Sequence, residues 1–231
     1  MYTSWRGDHM AALALWTGFR LAILALTVAL FGCASVEPAL YSDVASSPQL
    51  TANRSDASGR VPYRYSAGAD WRAYNKIIIE PVVLYRGRDH QFGDMSEKDK
   101  ESLANYMQTR FTEKLGSRFA LAGARAPNTL RIRLTLTGAA TSTPVLATLS
   151  RFDVAGAVYN GVQTARGGEG LMTGSVMYAV EIFDASTSRL LSAYVSKQYP
   201  SPYDVMASMG SLAAAEAGID KGADDLIAQL R

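Results

Sequence analysis

Residues 129–137, Thr-Leu-Arg-Ile-Arg-Leu-Thr-Leu-Thr, alternate strictly between apolar and polar side chains. Leucine or isoleucine occupies every even position, and threonine or arginine occupies every odd one. Because successive side chains of a β-strand point to opposite faces of a sheet, this pattern predicts a strand with one buried and one outward face. The rest of the chain is interpreted around a sheet that contains this strand.

Other strands are predicted on both sides of it. The β-branched run at 76–85 predicts a buried strand, in which Pro81 forces a bulge or a break because proline has no backbone N–H to donate. Residues 174–183 and 190–197 predict a strand pair joined by a polar turn at 184–189. A further short strand is predicted near residues 119–121.

Two helices are predicted from apolar side chains at helical spacing. The first begins at Ser96, since Ser-Glu-Lys-Asp at 96–99 is similar to a capping box. The second ends the chain and carries one apolar stripe. The apolar positions are Leu103, Tyr106, Met107, Phe111 and Leu115 in the first helix, and Leu212, Ala215, Ile219, Ala223, Leu226, Ile227 and Leu230 in the second.

This order of elements favours an α+β two-layer sandwich, because two amphipathic helices need one face of a sheet to bury their apolar sides. We expect a mainly antiparallel sheet of four to five strands packed against two or three amphipathic helices. Residues 59–231 are expected to form this single domain.

The composition excludes several classes of function. The 231 residues include 23 Lys and Arg against 21 Asp and Glu, a net charge of +2 that lacks the excess of basic residues typical of nucleic-acid binding. One Cys and two His are too few for the usual four-ligand zinc site. We therefore expect no nucleic-acid partner, no metal and no cofactor.

The N-terminal region predicts export and lipidation. Arg20 is followed by eleven uncharged residues, 21–31, and then by Gly32 and Cys33. A positive residue, a short apolar run and a small residue before the cleavage point are typical of a secretory signal. The run Leu-Phe-Gly-Cys at 30–33 resembles the bacterial lipobox. That resemblance implies that Cys33, the only cysteine, becomes a diacylglyceryl thioether and the acylated N-terminus.

Residues 1–32 are accordingly predicted to be a lipoprotein signal peptide, which starts at either Met1 or Met10. The alternative is a retained membrane-spanning helix from Met10 to Phe31, whose apolar length Arg20 interrupts.

Residues 33–58 are predicted to form the lipidated cysteine and a flexible tether, because large apolar side chains are few and Ser, Ala, Pro and Asp are frequent. Fully extended, such a tether reaches about 80 Å. Ala34, not aspartate, follows Cys33. In enterobacterial lipoproteins that pattern implies release to the outer membrane, so we expect the domain on its periplasmic side.

Six short segments follow one another in an order known from one protein family: 59–65, 68–74, 80–82, 91–94, 144–149 and the strand pair around 184–185. Together they resemble a family of proteobacterial lipoproteins catalogued as domain of unknown function 3313, over about residues 41–230. The resemblance implies location and architecture, and it brings no reaction and no catalytic residues. In the hairpin turn, Ser188 stands where the resemblance implies glycine.

His90 is a candidate catalytic residue because it lies in a polar loop at 85–94. A Ser–His–Asp arrangement would need a carboxylate such as Asp89 or Asp94, together with a serine, at hydrogen-bonding distance. The alternative, which we favour, is a solvated loop that forms turns.

Arg131 and Arg133 share the outward face of the strand at 129–137 and are candidate contacts for a partner. They suit phosphate head groups, peptidoglycan carboxylates or the acidic side chains of a protein. The alternative is an ordinary solvated face.

Val154, Val158 and Val162 recur every four residues within 145–163, among small residues. A helix with small residues on its face packs closely on another helix or on a bilayer, so these valines are candidate partner or lipid contacts. The alternative is a crossover helix that covers the sheet.

These features predict a non-enzymatic binding or structural module for another envelope component. Acyl chains on Cys33 would attach it to the membrane, and its partner would be an envelope protein or the cell wall. One alternative is a carrier of an apolar ligand or lipid, in a groove beside residues 145–163. Another is a hydrolase that uses His90.

Overall fold

The structure, a computed structural model, describes residues 37–141, 162, 174–201 and 210–231. The strands are β1 (Thr51–Ala52), β2 (Tyr63–Ser66), β3 (Lys76–Ile79), β4 (Val83–Leu84), β5 (Ala120–Leu121), β6 (Thr129–Ala140), β7 (Ser175–Asp184) and β8 (Leu190–Gln198). The α-helices with described bounds are α1 (Glu97–Gly116) and α2 (Ala213–Gln229), and short 3-10 helices cover Ser47–Gln49 and Trp71–Ala73.

The strands form one mixed eight-stranded sheet in the order β1-β2-β8-β7-β6-β3-β5. The pairs from β1 to β6 along this order are antiparallel, whereas β3 lies parallel to both β6 and β5. Strand β4 pairs with β6 beyond the end of β3, so β3 and β4 follow each other along the same edge of β6. Strand β6 therefore joins the antiparallel part of the sheet to its parallel part.

The predicted sheet of four to five mainly antiparallel strands on two or three helices is wrong, since the sheet has eight strands and is mixed. Strands β1, β4 and β5 have only two residues each, too few to show alternation in the sequence. The parallel pairs arise because α1 carries the chain back across the sheet before β5 and β6, as a helical crossover does. The described ranges hold two α-helices with both ends, α1 and α2, on one face of this sheet.

Pro81 breaks the predicted strand at 76–85 as expected. Strand β3 ends at Ile79 and β4 begins at Val83. On one side of the proline, the Glu80 backbone N–H still donates to the carbonyl oxygen of Ile132 at 2.9 Å. On the other side, the Val82 N–H donates to a glutamine side chain of α1 at 2.8 Å, so the helix satisfies a group that the sheet leaves unpaired.

The main core lies between the sheet and the two helices. Ser96 caps α1 by accepting a hydrogen bond from the Asp99 backbone N–H at 3.2 Å, which confirms the predicted helix start. The apolar positions of α1 then face the even positions of β6, and all of them are fully buried. They are Leu103, Met107, Phe111 and Leu115 on the helix, and Leu130, Ile132, Leu134 and Leu136 on the strand.

The opposite face of the sheet is covered as well. Tyr41, Val44 and Leu50 pack on it and are buried, although they lie in the segment predicted as a flexible tether. The described chain from Pro38 onwards belongs to one compact unit, so the folded region begins earlier than the predicted boundary at residue 59. The sheet surface that faces this segment consists of small side chains, namely Ala179, Ala193 and Val195. A segment with few large apolar residues is therefore enough to cover it.

The turn between β7 and β8 is held by the hydrogen bonds of one carboxylate, that of Asp184. Asp184 Oδ1 accepts the backbone N–H groups of Ser186 and Thr187 at 3.0 and 2.9 Å, and Tyr74 donates its hydroxyl to Oδ2 at 2.9 Å. The hydrogen bond from the Ser186 hydroxyl, helped by Thr187 and Tyr74, outweighs burial and holds the pKa of Asp184 far below its usual range. In the same turn Ser188 has a φ of 59°, a left-handed conformation that glycine adopts without strain.

We predict that Ser188→Gly raises the free energy of unfolding by about 0.5–1 kcal/mol, because glycine removes the strain of a side chain at positive φ. Urea denaturation measures the change. Ser188→Ala is the matched control, since it removes the hydroxyl but keeps the strained Cβ. A glycine variant no more stable than the alanine variant would contradict this explanation of the turn.

We also predict that Asp184→Asn lowers the free energy of unfolding at neutral pH by about 1 kcal/mol, a modest value because the turn is solvated. The folded pKa of Asp184 lies below the unfolded value of about 3.9, so its contribution is present above about pH 4 and is lost as the pH falls towards the folded pKa. Unfolding curves at several pH values should converge for the two proteins in acid. A difference that stays constant down to about pH 3 would argue against the carboxylate as its source.

Candidate functional site

A polar pocket lies on the helix side of the sheet, between the end of α2 and strand β2. Its volume is about 370 Å³. Strands β7 and β8 form its floor, the last turns of α2 form one wall, and β2 with the loop before it forms the other. The lining residues are Asn53, Ser55, Asp56, Val61, Arg64, Tyr178, Ser192, Tyr194, Ser196, Gln198, Gly222, Asp225 and Gln229.

Two glycines in α2 bring this helix unusually close to the sheet. A Cβ atom on Gly222 would lie 1.8 Å from the Tyr178 hydroxyl oxygen, and one on Gly218 would lie 2.8 Å from Val176 Cγ1. A side chain at either position would require the helix or the facing residues of the sheet to move. Helix α2 therefore seats its backbone against β7, and Tyr178 reaches under it to the pocket.

The floor of the pocket holds a network of hydrogen bonds. Gln198 donates from Nε2 to Ser196 Oγ at 3.2 Å and lies 3.3 Å from an oxygen of Asp225. The Tyr178 hydroxyl is hydrogen-bonded to Ser196 and Gln198. Burial raises the pKa of Tyr178 far above its usual value, so the phenol stays protonated at neutral pH.

Tyr194 differs from Tyr178 in having no such partner. Its side chain is 8% exposed, and within the described ranges its hydroxyl makes no hydrogen bond. Burial raises the pKa of Tyr194 well above its usual value as well. The Tyr194 hydroxyl opens into the pocket, where solvent or a ligand can satisfy it in place of a protein group.

Arg64 stands directly opposite Tyr194 in the β2–β8 ladder, so both side chains leave the same face of the sheet. Arg64 is exposed at the wall of the pocket, and its guanidinium has no ion pair with any side chain that the structure describes. Among the described residues, the pocket groups without a protein partner are thus the Arg64 guanidinium, which is always positively charged, and the Tyr194 phenol.

Both acidic side chains of the lining are already engaged. Asp56 accepts hydrogen bonds from the Ser58 and Val61 backbone N–H groups at 3.0 and 2.5 Å. Burial opposes the ionisation of Asp56, yet these bonds and the Ser58 hydroxyl lower its pKa. Asp225 forms an ion pair with Lys221 one turn earlier on α2. Neither carboxylate forms an ion pair with Arg64 in the part of the chain that the structure describes.

Arg131 and Arg133, predicted as outward contacts for a partner, are instead bound within the protein. Their guanidinium groups lie 2.6 and 2.8 Å from the two carboxylate oxygens of Glu80. Arg131 is only 8% exposed and its Cζ lies 4.3 Å above the Phe183 ring. Burial works against the Glu80 carboxylate, but the two arginines lower the pKa of Glu80 below its usual value.

The remaining predicted contact and anchor residues are placed only in part. Cys33, Val154 and Val158 lie outside the described residues. Val162 is described, and its side chain is 45% exposed.

The loop that carries His90 serves to hold the N-terminal segment. Asp89, the predicted carboxylate partner of His90, accepts a hydrogen bond from the Tyr85 hydroxyl at 2.6 Å and another from the Ser42 backbone N–H at 2.9 Å. His90 is exposed, and its Nδ1 lies 3.5 Å from the Phe92 backbone N–H. The loop thus gives Asp89 a structural role, and the second candidate carboxylate, Asp94, is exposed.

The described residues contain no group of three or more His, Cys, Asp or Glu side chains arranged to hold a metal ion. No helix within them is both long enough and apolar enough to cross a membrane.

Sequence reasoning missed the pocket, although strand β8 carried a signal. Its even positions from 192 onwards, Ser192, Tyr194, Ser196 and Gln198, are all polar, and this row faces the helix layer. Such a row on the covered side of a sheet points to a polar site beneath the cover. Arg64 gave no comparable signal, because a single arginine in a short strand is common on protein surfaces.

The chain was compared with known proteins. The profile of a family described as "Protein of unknown function (DUF3313)" matches residues 40–226. No curated protein matches. Among solved structures, the PelC dodecamer from Paraburkholderia phytofirmans is 12% identical with a TM-score of 0.36, over 68% of this chain and 92% of that one. A variant of the same dodecamer is also 12% identical, with a TM-score of 0.35 over 68% and 89%.

We predict that Gly222→Ala destabilises the protein by about 1–3 kcal/mol, because the new methyl group overlaps the Tyr178 hydroxyl. Adding Tyr178→Phe should recover part of this loss, since it removes the atom that is overlapped. Gly116→Ala in α1 is the control, as its Cβ would have only ordinary contacts at 3.8 Å. Chemical denaturation of the natural protein, of Gly222→Ala, of Tyr178→Phe and of the double variant gives the coupling. A double variant that shows no recovery would refute the close approach of α2.

Proposed function

We propose that this chain, which belongs to the DUF3313 family of proteins of unknown function, is a lipid-anchored binding module without enzymatic activity. In this proposal, acyl chains on Cys33 hold it at the periplasmic face of the outer membrane. The folded domain binds another component of the envelope. The observation that carries the binding role is the pocket beside Tyr194, in which the Tyr194 hydroxyl and the Arg64 guanidinium have no protein partner among the described residues.

The anchor is supported by the sequence around Cys33. The apolar run 21–31 follows Arg20 and ends at Gly32 and Cys33, which is the only cysteine of the chain. Two or three acyl chains at one residue give a stable attachment, since each buried methylene contributes about 0.8 kcal/mol. No charged surface is needed, and the nearly balanced charge of the chain agrees with this.

The fold shortens the proposed tether. Tyr41 is fixed to the domain: its hydroxyl donates to Gln91 Oε1 at 2.5 Å, and its ring packs edge-on against Tyr85 with 5.4 Å between centroids. Burial raises the pKa of Tyr41 to about 12, so the phenol remains a donor. The chain from Cys33 to Tyr41 extends at most about 28 Å, against about 80 Å for the predicted tether. A module anchored at Cys33 would therefore work close to the bilayer surface.

A binding role fits the chemistry of the uncommitted groups better than catalysis. The Tyr194 phenol stays protonated because burial raises its pKa, and arginine stays protonated at any physiological pH. Both are hydrogen-bond donors and neither is a nucleophile or a base at neutral pH. The polar lining also favours a polar ligand over the apolar ligand of the carrier hypothesis.

We predict that the natural protein incorporates labelled palmitate and that Cys33→Ser abolishes the incorporation, because a hydroxyl does not form the thioether. Ser35→Ala, two residues further on, should keep the label and serves as the control. Mass measurement of the mature protein should place its N-terminus at an acylated Cys33. Separation of the two membranes should recover the natural protein in the outer one. An unmodified Cys33 in the native protein would overturn the anchor.

A further inference from the structure

We propose that the pocket binds a small hydroxylated anion, a sugar that carries a carboxylate or a phosphate group, through Arg64 and Tyr194. This inference deepens the proposed function by naming the ligand class of the binding module. It rests on the binding role alone and is independent of the anchor at Cys33.

The charge of the ligand follows from which groups are free. Of the charged side chains in the lining, Asp56 and Asp225 already have partners and Arg64 has none within the described ranges. A planar guanidinium matches the two oxygens of a carboxylate or phosphate with two parallel hydrogen bonds. A cationic ligand would instead face an uncompensated arginine and two carboxylates that it would have to detach from their partners.

The second attachment point is the phenol of Tyr194. It lies opposite Arg64 in the strand ladder, so a ligand oxygen beside the anionic group is within reach of both side chains. The hydroxyl opens into the pocket and makes no hydrogen bond among the described residues, so a ligand can bind it by displacing solvent and without breaking a contact of the protein.

The remaining lining sets the size and polarity of the ligand. A volume of about 370 Å³ lies near the lower end of the range for small-molecule sites, roughly 300–1,000 Å³. Hydroxyl and amide groups of Asn53, Ser192, Ser196 and Gln229 surround the two attachment points. Each of them already has a partner in the protein, since Asn53, Ser192 and Ser196 donate to backbone carbonyls and Gln229 donates to Ser192. Their oxygen atoms can still accept further hydrogen bonds, which the hydroxyls of a sugar donate and an apolar anion does not.

The test is calorimetric titration of the full-length protein in detergent with glucuronate, glucose 6-phosphate and glucose. The first two carry a carboxylate or a phosphate on a similar sugar, and glucose is the uncharged control. We expect at least one anion to bind at least about tenfold more tightly than glucose, which corresponds to one strong charge-assisted contact. The stronger anion identifies the source of the charge. Equal binding of all three sugars, or no binding at about 10 mM, would overturn the proposal.

Variants then assign the binding to the two side chains. Arg64→Gln should weaken binding of the anion by about tenfold or more, and Tyr194→Phe by about three- to tenfold. The controls are Arg72→Gln, at an exposed arginine paired with Asp70, and Tyr65→Phe, on the opposite face of β2. Neither control should alter the affinity. Equal losses in test and control variants would contradict the assignment.

Thermal unfolding of Tyr194→Phe without ligand separates binding from a structural role. Because the hydroxyl has no partner among the residues that the structure describes, its removal should leave the melting temperature unchanged or raise it. A loss of stability comparable to a broken hydrogen bond would show that the hydroxyl serves the fold and would refute its role as a ligand contact. If the titrations fail while Cys33 is acylated, only the proposed ligand class is refuted. If Cys33 is unmodified while the sugars still bind, only the proposed anchor is refuted.

Discussion

The twelve-residue strand β6 is buried on both faces, and this one constraint determines the layers around it. Its even positions from 130 to 136 are leucine and isoleucine, and they require the apolar faces of α1 and α2. Its odd positions include Arg131 and Arg133, whose charges are tolerable under cover only with an opposite charge beside them. Glu80, placed next to β6 where Pro81 ends the preceding strand, supplies that charge with both of its carboxylate oxygens. The N-terminal segment then completes the layer, and the Ser46 backbone N–H donates to the buried Glu181 at 2.8 Å.

The pocket exists because the helix cover is narrower than the sheet. Helix α2 lies on β7 and β8, where Gly218 and Gly222 allow its backbone to sit on the strands. Beyond it, β8 continues to display the polar row that ends at Gln198, and β2 adds Arg64. A fully apolar floor would favour a tighter cover by the helix, whereas a polar floor left uncovered must be satisfied by its own network, by solvent or by a ligand. In this pocket the network of the floor satisfies the Tyr178 hydroxyl, whereas the Tyr194 hydroxyl is left for solvent or a ligand.

The parts of the fold that the sequence predicted correctly are those fixed by local periodicity. The alternation in β6, the capping box at Ser96 and the break at Pro81 each act over a few residues, so a single sequence shows them. The two-residue strands and the parallel pairs depend on contacts between distant parts of the chain, which no local pattern encodes. The cover on the outer face was missed for the same reason: Tyr41, Val44 and Leu50 are isolated apolar residues in a polar segment, and only the sheet opposite reveals their role. The site was missed because a polar row in a strand is normally assigned to solvent, and its position under α2 is a property of the tertiary structure.

Tyr41 and the pocket lie on opposite faces of the same sheet, so the proposed anchor and the proposed binding site would be separated by it. Tyr41, where the chain from Cys33 joins the fold, packs on the face of Ala179 and Val195, whereas Tyr178 and Tyr194 face the helices. A ligand that enters the pocket therefore meets α2, β2 and the loop before β2, and it has no contact with the segment that holds Tyr41. The pocket and the contacts of Tyr41 share no side chain. A ligand in the pocket can therefore affect the Tyr41 contacts only through the sheet, and the central strands of that sheet are its most thoroughly buried part. If the proposed anchor at Cys33 holds the domain near a bilayer, attachment on the Tyr41 side of the sheet leaves the pocket on the other side open to a ligand.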